Sequence, residues 1–254
     1  MKMKRIFLLI VLIAAAFGLD AQYIQNQEFE KANYYYNEAR YDTAVVIYEG
    51  IINEGYVSAP LLYNIGNAYF KMRNYPMAIL NYEKALKIEP DNADIKQNLA
   101  IANALITDKI EPVPEFFLKK LWRSIGDKLS ANEWATVSLV LIALVLITLF
   151  LYLTARTRGV KKSMFFIGIL LIIIALCSII HASQKWKYMN EHNEAIVMMP
   201  TITVKSSPSS SGTDLFVLHE GTKVDIMDKA DNWNKIKIAD GSVGWLPSSC
   251  ITRF

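Results

Sequence analysis

Hydrophobic and polar positions along this chain fall into four regimes. Ile6–Gly18 is a short apolar run preceded by Lys2, Lys4 and Arg5. From Gln22 to about Asp108, apolar residues recur at three- and four-residue spacing, which predicts amphipathic helices. Trp134–Ala155 and Ser163–Gln184 hold no charged residue. From about Glu194 the pattern becomes short alternating stretches: Ala195–Met198, Thr201–Lys205, Leu215–Leu218, Thr222–Met227, Trp233–Ile238 and Gly244–Leu246. Ser206-Ser207-Pro208, Glu220-Gly221 and Asp240-Gly241 punctuate them, so they predict strands joined by turns.

Each regime has a physical reading. The first run, with its basic start and Leu19-Asp20-Ala21 before Gln22, reads as a secretory signal over residues 1–21. The two uncharged segments, 134–155 and 163–184, would each make a helix of ~33 Å, enough to cross the hydrocarbon core. The seven residues between them, 156–162, are too few to cross again, so the spans form a hairpin and the flanking parts share one side. Arg156, Arg158, Lys161 and Lys162 place that connection in the cytoplasm. Lys119, Lys120, Arg123, Lys128, Lys185 and Lys187 flank the spans on the other side and pull the opposite way. Basic density in the loop and the signal sequence agree, and both export the flanking parts.

Residues 22–108 repeat with a shift of 34: Asn33 with Asn67, Tyr35 with Tyr69, Tyr41 with Tyr75, Ala44 with Ala78, Tyr48 with Tyr82. The second copy reads Leu62-x2-Ile65-Gly66-x2-Tyr69, Ala78-x3-Tyr82, Pro90. This resembles the tetratricopeptide pattern. Gly66 and Ala78 let paired helices approach, Tyr69 and Tyr82 fill the space between them, and Pro90 stops the second helix. Asp91-Asn92 can cap the next helix. The first copy is degenerate, with Glu28 and Lys31 in place of Leu62 and Ile65. Ala93–Ile106 predicts a closing helix, with Ile95, Leu99 and Ala102 on one face. Such arrays bind extended segments in a groove lined by the first helix of each repeat. The expected groove residues are Phe29, Asn33 and Tyr36 from copy one, and Tyr63, Asn67 and Phe70 from copy two. The two Asn would hydrogen-bond a peptide backbone. The basic clamp for carboxylates known in chaperone-binding members is not evident.

Residues 109–133 link the repeats to the first span. After Pro112 and Pro114, Phe117, Leu118, Leu121, Trp122, Ile125 and Leu129 recur at helical spacing, opposite Lys119, Lys120, Arg123 and Lys128. This predicts an amphipathic helix on the lipid bilayer, the rival reading being a stripe packed on the repeats. Residues 185–193 form a second linker. Residues 194–254 resemble the bacterial SH3-like family through Val204-Lys205-Ser206-Ser207-Pro208, Leu218-x-Glu220-Gly221-Thr222, Trp233-x-Lys235-Ile236 and Asp240-Gly241-x-x-Gly244-Trp245-Leu246-Pro247. That family commonly binds peptides or cell-wall material, and Trp245 is the expected ligand-binding aromatic.

The fold expected is therefore a multidomain membrane protein: an α-helical tetratricopeptide array, a two-helix transmembrane hairpin and a small all-β SH3-like barrel. The order of parts resembles the BatE-type proteins of the Bacteroides aerotolerance group. Members accompany membrane proteins with von Willebrand factor A-type domains and are linked to oxygen tolerance. The resemblance implies a non-enzymatic subunit of a bacterial inner-membrane complex, with repeats and barrel in the periplasm. The alternative is a sensor of peptidoglycan peptides acting through the barrel.

Composition narrows the chemistry. Apolar residues make up 53% of the 254 positions, above the ~45–50% of ordinary soluble domains. The net charge of +3 owes two units to Lys2, Lys4 and Arg5 against Asp20, so nothing points to nucleic acid. Two cysteines, Cys177 and Cys250, and three histidines, His181, His192 and His219, give no metal-ligand spacing. No phosphate loop or serine nucleophile motif occurs. No catalytic residue, cofactor or metal is expected. A thiol mechanism at Cys250, with His219 as base, is the third class.

Overall fold

A computed structural model of the chain describes residues 27–114, 116–190 and 193–254. The expected signal over 1–21 and His192 lie outside these. The chain forms two compact units. One holds residues 27–88, 92–111 and 194–254, and the other holds 89–91 and 112–193.

The first unit begins with five helices: α1 (27–37), α2 (Tyr41–Asn53), α3 (Ala59–Lys71), α4 (Tyr75–Ile88) and α5 (Ala93–Asn103). Ser58 caps α3 by accepting from the Leu61 amide, and Pro60 sits in the first turn, where its missing N–H costs nothing. Asn92 caps α5 by accepting from Asp94 and Ile95. The 34-residue shift holds in the backbone. Ala39 (φ 57°) and Arg73 (φ 60°) are the left-handed residues of the two helix-to-helix turns. In each turn the next amide, Arg40 or Asn74, donates to the Tyr35 or Tyr69 carbonyl at 2.9 Å. Small residues let the helices close up: Ala44 and Ala78 are fully buried, and Gly66 faces the Tyr82 ring.

The same unit ends in a seven-stranded antiparallel sheet with the order β3-β2-β6-β5-β4-β1-β7. The strands are β1 (Glu194–Val197), β2 (Thr201–Lys205), β3 (Asp214–His219), β4 (Lys223–Ala230), β5 (Trp233–Lys237), β6 (Val243–Pro247) and β7 (Ile251–Arg253). Alternation buries Val204, Leu218, Val224, Ile236 and Leu246 in one core. Strand β7 pairs with β1, and a single 3₁₀ turn, Ser248–Cys250, precedes it. It was not among the predicted strands, because three residues after Pro247 are too short for alternation to register.

Array and barrel share their packing. Ile196, Met198 and Phe254 of the barrel join the cluster formed by Ile79, Tyr82, Ala85 and Ile95 of the array. Ile110 packs on the barrel core. A charged ring surrounds Phe254. Lys87 donates to its main-chain oxygen at 2.7 Å, and the Lys87 and Lys223 ammoniums sit over its ring at 4.8 and 5.2 Å. Lys223 bridges Glu83 (2.9 Å) and Glu194 (2.8 Å). Burial pushes the Glu83 carboxyl up against the pull of Lys223, and pushes the Lys87 ammonium down against the pull of Glu194. At the edge of this seat, Asp108 accepts from the His219 amide, His219 Nδ1 and the Thr222 hydroxyl, all at 2.7 Å.

The second unit has α6 (Phe117–Gly126), α7 (Ala131–Thr154) and α8 (Arg158–Asn190). Helices α7 and α8 are both long and apolar enough to cross a membrane. Ser130 and Glu133 form a capping box that starts α7 three residues before the uncharged run. Three residues, 155–157, join the two helices, and the rest of the basic segment expected as a loop is the first turn of α8. Nothing in Arg158–Lys162 breaks a helix except Gly159, which the first turn tolerates. The helices approach along small residues: Ser138 donates to Ser178 Oγ at 2.9 Å, Ser178 donates to the Trp134 carbonyl at 3.0 Å, and Gly168 faces Thr148.

Candidate functional site: the groove of the repeat array

The first helix of each repeat and α5 line one face of the array. Asn33 Oδ1 accepts from the Tyr48 hydroxyl (2.6 Å) and from Asn64 Nδ2 (3.1 Å). Asn67 Oδ1 accepts from the Tyr82 hydroxyl (2.8 Å) and from Asn98 Nδ2 (2.9 Å). Each residue of the second set lies 34 positions after its counterpart in the first. Helix α5 thus supplies, through Asn98, what α3 supplies through Asn64. The closing helix behaves as the first helix of a further repeat.

These bonds give the Asn pair a different job from the one expected. Both carbonyl oxygens are spent inside the array, each fixing a buried tyrosine and the next helix. The Nδ2 groups of Asn33 and Asn67 take no part and can still donate. Burial pushes the Tyr48 hydroxyl up to about 12 and raises Tyr82 further. Both phenols stay protonated donors at any physiological pH.

Over the second Asn–Tyr–Asn set lies a cavity of about 320 Å³ lined by Tyr36, Tyr63, Asn67, Phe70, Lys71, Tyr82, Asn98 and Ile101. Four of the six predicted groove residues line it: Tyr36, Tyr63, Asn67 and Phe70. Phe29 and Asn33 belong to the first repeat, where Phe29 packs on Tyr48 with ring centroids 5.8 Å apart. Sequence reasoning missed Lys71, Asn98 and Ile101. The 34-residue shift carries Asn64 onto Asn98 and could have found that residue. The lining offers amides, phenols, one ammonium and apolar surface. Its donors and aromatic surface can engage a bound segment through hydrogen bonds and contact area.

Residues 59–92, which are α3, α4 and the turn after them, match the family model of the tetratricopeptide repeat. Residues 200–252 match that of the bacterial SH3 domain. The chain thus carries a tetratricopeptide repeat and a bacterial SH3 domain. No curated protein matches the chain. The first repeat folds as the second does, with Glu28 and Lys31 placed outside its core as an i,i+3 ion pair of 3.1 Å.

In the SH3 domain, Trp245 sits on β6, half-buried and in register with Lys205 of β2 and Lys235 of β5. Cross-strand partners share a face, so Lys205 and Lys235 stand on the face of the indole, and the Lys205 ammonium pairs with Asp214. Cys250 is buried, with Ser249 Oγ 4.0 Å from its sulfur, and His219 Nδ1 is held by Asp108 at 2.7 Å.

Proposed function

We propose that this chain is a membrane-anchored, non-enzymatic interaction protein whose repeat groove holds an extended segment of a partner. The observation that carries this is the cavity over Asn67, Tyr82 and Asn98, with aromatic walls and Lys71 at its rim. We further propose that the chain is of the BatE type, with membrane proteins bearing von Willebrand factor A-type domains as its partners. Helices α7 and α8 act as the inner-membrane anchor, with the basic connection in the cytoplasm and array and barrel in the periplasm. One feature of the fold supports that topology. Array and barrel bury a common core although two long apolar helices separate them in sequence. Two crossings, an even number, return the chain to the side it left.

The test is crosslinked co-purification of the full chain from native membranes, comparing wild type with Lys71→Glu/Ile101→Glu. Lys71 is exposed and Ile101 is 45% exposed, so the double change alters the groove without opening a core. Asn33 and Asn67 are poorer probes, since their removal would orphan buried hydroxyls. The expected result is recovery of membrane proteins with A-type domains by wild type and their loss, tenfold or more (about 1.4 kcal/mol), with the variant. Equal recovery would place binding elsewhere.

A second reading rests on Trp245. An indole that shares its face with Lys235 and with the Lys205–Asp214 pair suits a peptide bearing carboxylates, and peptidoglycan stem peptides are of that kind. On this reading the barrel binds cell-wall peptides, and muropeptides rather than proteins crosslink to the chain near Trp245.

A further inference from the structure

Helix α6 meets the hairpin through an aromatic stack. His181 of α8 lies between Trp122 of α6 (centroids 4.1 Å apart, planes at 24°) and Trp134 of α7 (4.9 Å, 26°). Gly126 closes the stack: a Cβ there would stand 2.6 Å from His181 Nδ1. Trp134 Nε1 donates to the Gly126 carbonyl at 2.9 Å, Trp122 Nε1 to Gln184 at 3.1 Å, and Lys185 pairs with Asp127 at 2.8 Å. These contacts fix which side of α6 faces the hairpin, and therefore where its other faces point.

At ~100° per residue, α6 has three faces. Trp122 and Gly126 point at the hairpin. Leu118, Ile125 and Leu121 stand about 60–120° to one side, with Phe117 nearly opposite the hairpin, and Lys119 and Arg123 stand about 40–80° to the other, with Lys120 at about 140°. The apolar ridge is 44–66% exposed, and nothing else in its unit covers it. A helix packed on protein through its apolar stripe would bury that stripe. Here the stripe is left bare and a different side makes the contact.

We propose that α6 lies flat in the interface of a phospholipid bilayer, strapped to the end of the hairpin, with its apolar ridge among the acyl chains and Lys119, Lys120 and Arg123 at the phosphates. Two observations choose lipid as the occupant. The same unit leaves large apolar side chains exposed along α7 and α8 as well, among them Leu139, Leu146 and Leu170, and one bilayer would cover them and the ridge alike. The arrangement of apolar ridge, flanking tryptophans and opposed basic face matches the charge and polarity gradient across a lipid headgroup layer. The stack holds α6 at one depth, the end of the spans.

This rests on the reading of α7 and α8 as membrane spans, and the test separates the two. Full-length protein lacking its cysteines (Cys177→Ala, Cys250→Ala) is reconstituted into vesicles of phosphatidylethanolamine and phosphatidylglycerol. A single nitroxide is attached at Leu121→Cys, Lys120→Cys or Leu146→Cys. Collision with oxygen, which concentrates in lipid, is compared with collision with a water-soluble nickel chelate. The expected result is oxygen-dominated collision at 121 and at 146, and nickel-dominated collision at 120. Nickel-dominated collision at 121 puts the ridge in water and overturns the proposal. Shielding of 121 from both reagents means that protein covers the ridge, a second copy or a partner, and overturns it too. Nickel-dominated collision at 146 overturns the membrane reading itself.

Discussion

Two glycines in the repeats illustrate how position decides the sign of a substitution. Gly50 of α2 has nothing within 4 Å of an added Cβ, whereas a Cβ on Gly66 would stand 2.6 Å from two carbons of the Tyr82 ring. Helix propensity favours Ala over Gly by about 1 kcal/mol in both. Tyr82 cannot move aside, since it is 1% exposed and its hydroxyl is held by Asn67. Gly50→Ala should therefore stabilise the chain by about 0.5–1 kcal/mol. Gly66→Ala should destabilise it by about 1–2 kcal/mol, because overpacking outweighs propensity. Thermal melts of the two full-length variants in detergent check this: Tm should rise for the first and fall for the second. A rise for both would mean the ring yields and the inter-helix space is looser than it looks.

At the scale of elements, the strongest coupling is the segment after α5, where Asp108 gathers three donors from the β3–β4 turn. Its burial favours the neutral acid, but the bonds from Thr222 and His219 outweigh that and hold the carboxyl below the usual range. A carboxyl depressed in the folded state contributes stability above its unfolded pKa of about 3.9, and that stability is lost as pH falls through the lower folded value. Asp108→Asn should thus cost about 2 kcal/mol at pH 7. The gap from wild type should narrow as pH falls below about 4. Glu83, raised by burial, titrates with the opposite sign but is present in both proteins and cancels in the difference. Paired melts at pH 7 and pH 3 read the outcome, and a gap independent of pH would mean Asp108 is not charged when folded. No sequence pattern announces this contact, since Asp108 and His219 are 111 residues apart. The helices were legible because 3.6-residue periodicity, the 34-residue shift and Pro90 each leave a local mark. Six of the seven strands were legible from alternation and Gly- or Pro-bearing turns. The groove was half legible: Tyr36, Tyr63, Asn67 and Phe70 follow from which helix comes first in a repeat. That the Asn oxygens turn inward follows from tyrosines 15 residues away and could not be read from spacing.

For the molecule as a whole, the sequence suggested two modules tied by a hairpin, and the structure joins them into one folded unit. Gly221 marks the seat. Its φ of +88° disfavours any side chain, and a Cβ there would stand 2.5 Å from Ile106 and 3.4 Å from Ile79. Gly221→Ala should lift the barrel off the array. In amide exchange of the full chain, α5 and β1 should then lose protection together. A change confined to the β3–β4 turn would show that each domain stands without the other. The shared seat also bears on how the chain is made. The array is synthesised first and the barrel last, with the hairpin between them. Until the barrel arrives, the Ile79 and Ile106 surface lacks its cover and Glu83 and Lys87 lack their barrel partners, and such surface attracts chaperones and proteases. A chain whose hairpin crossed the membrane once instead of twice would strand its barrel on the wrong side and leave the seat bare for good. On the membrane reading proposed above, the interface would act as a checkpoint on insertion, since only molecules threaded correctly could hide it.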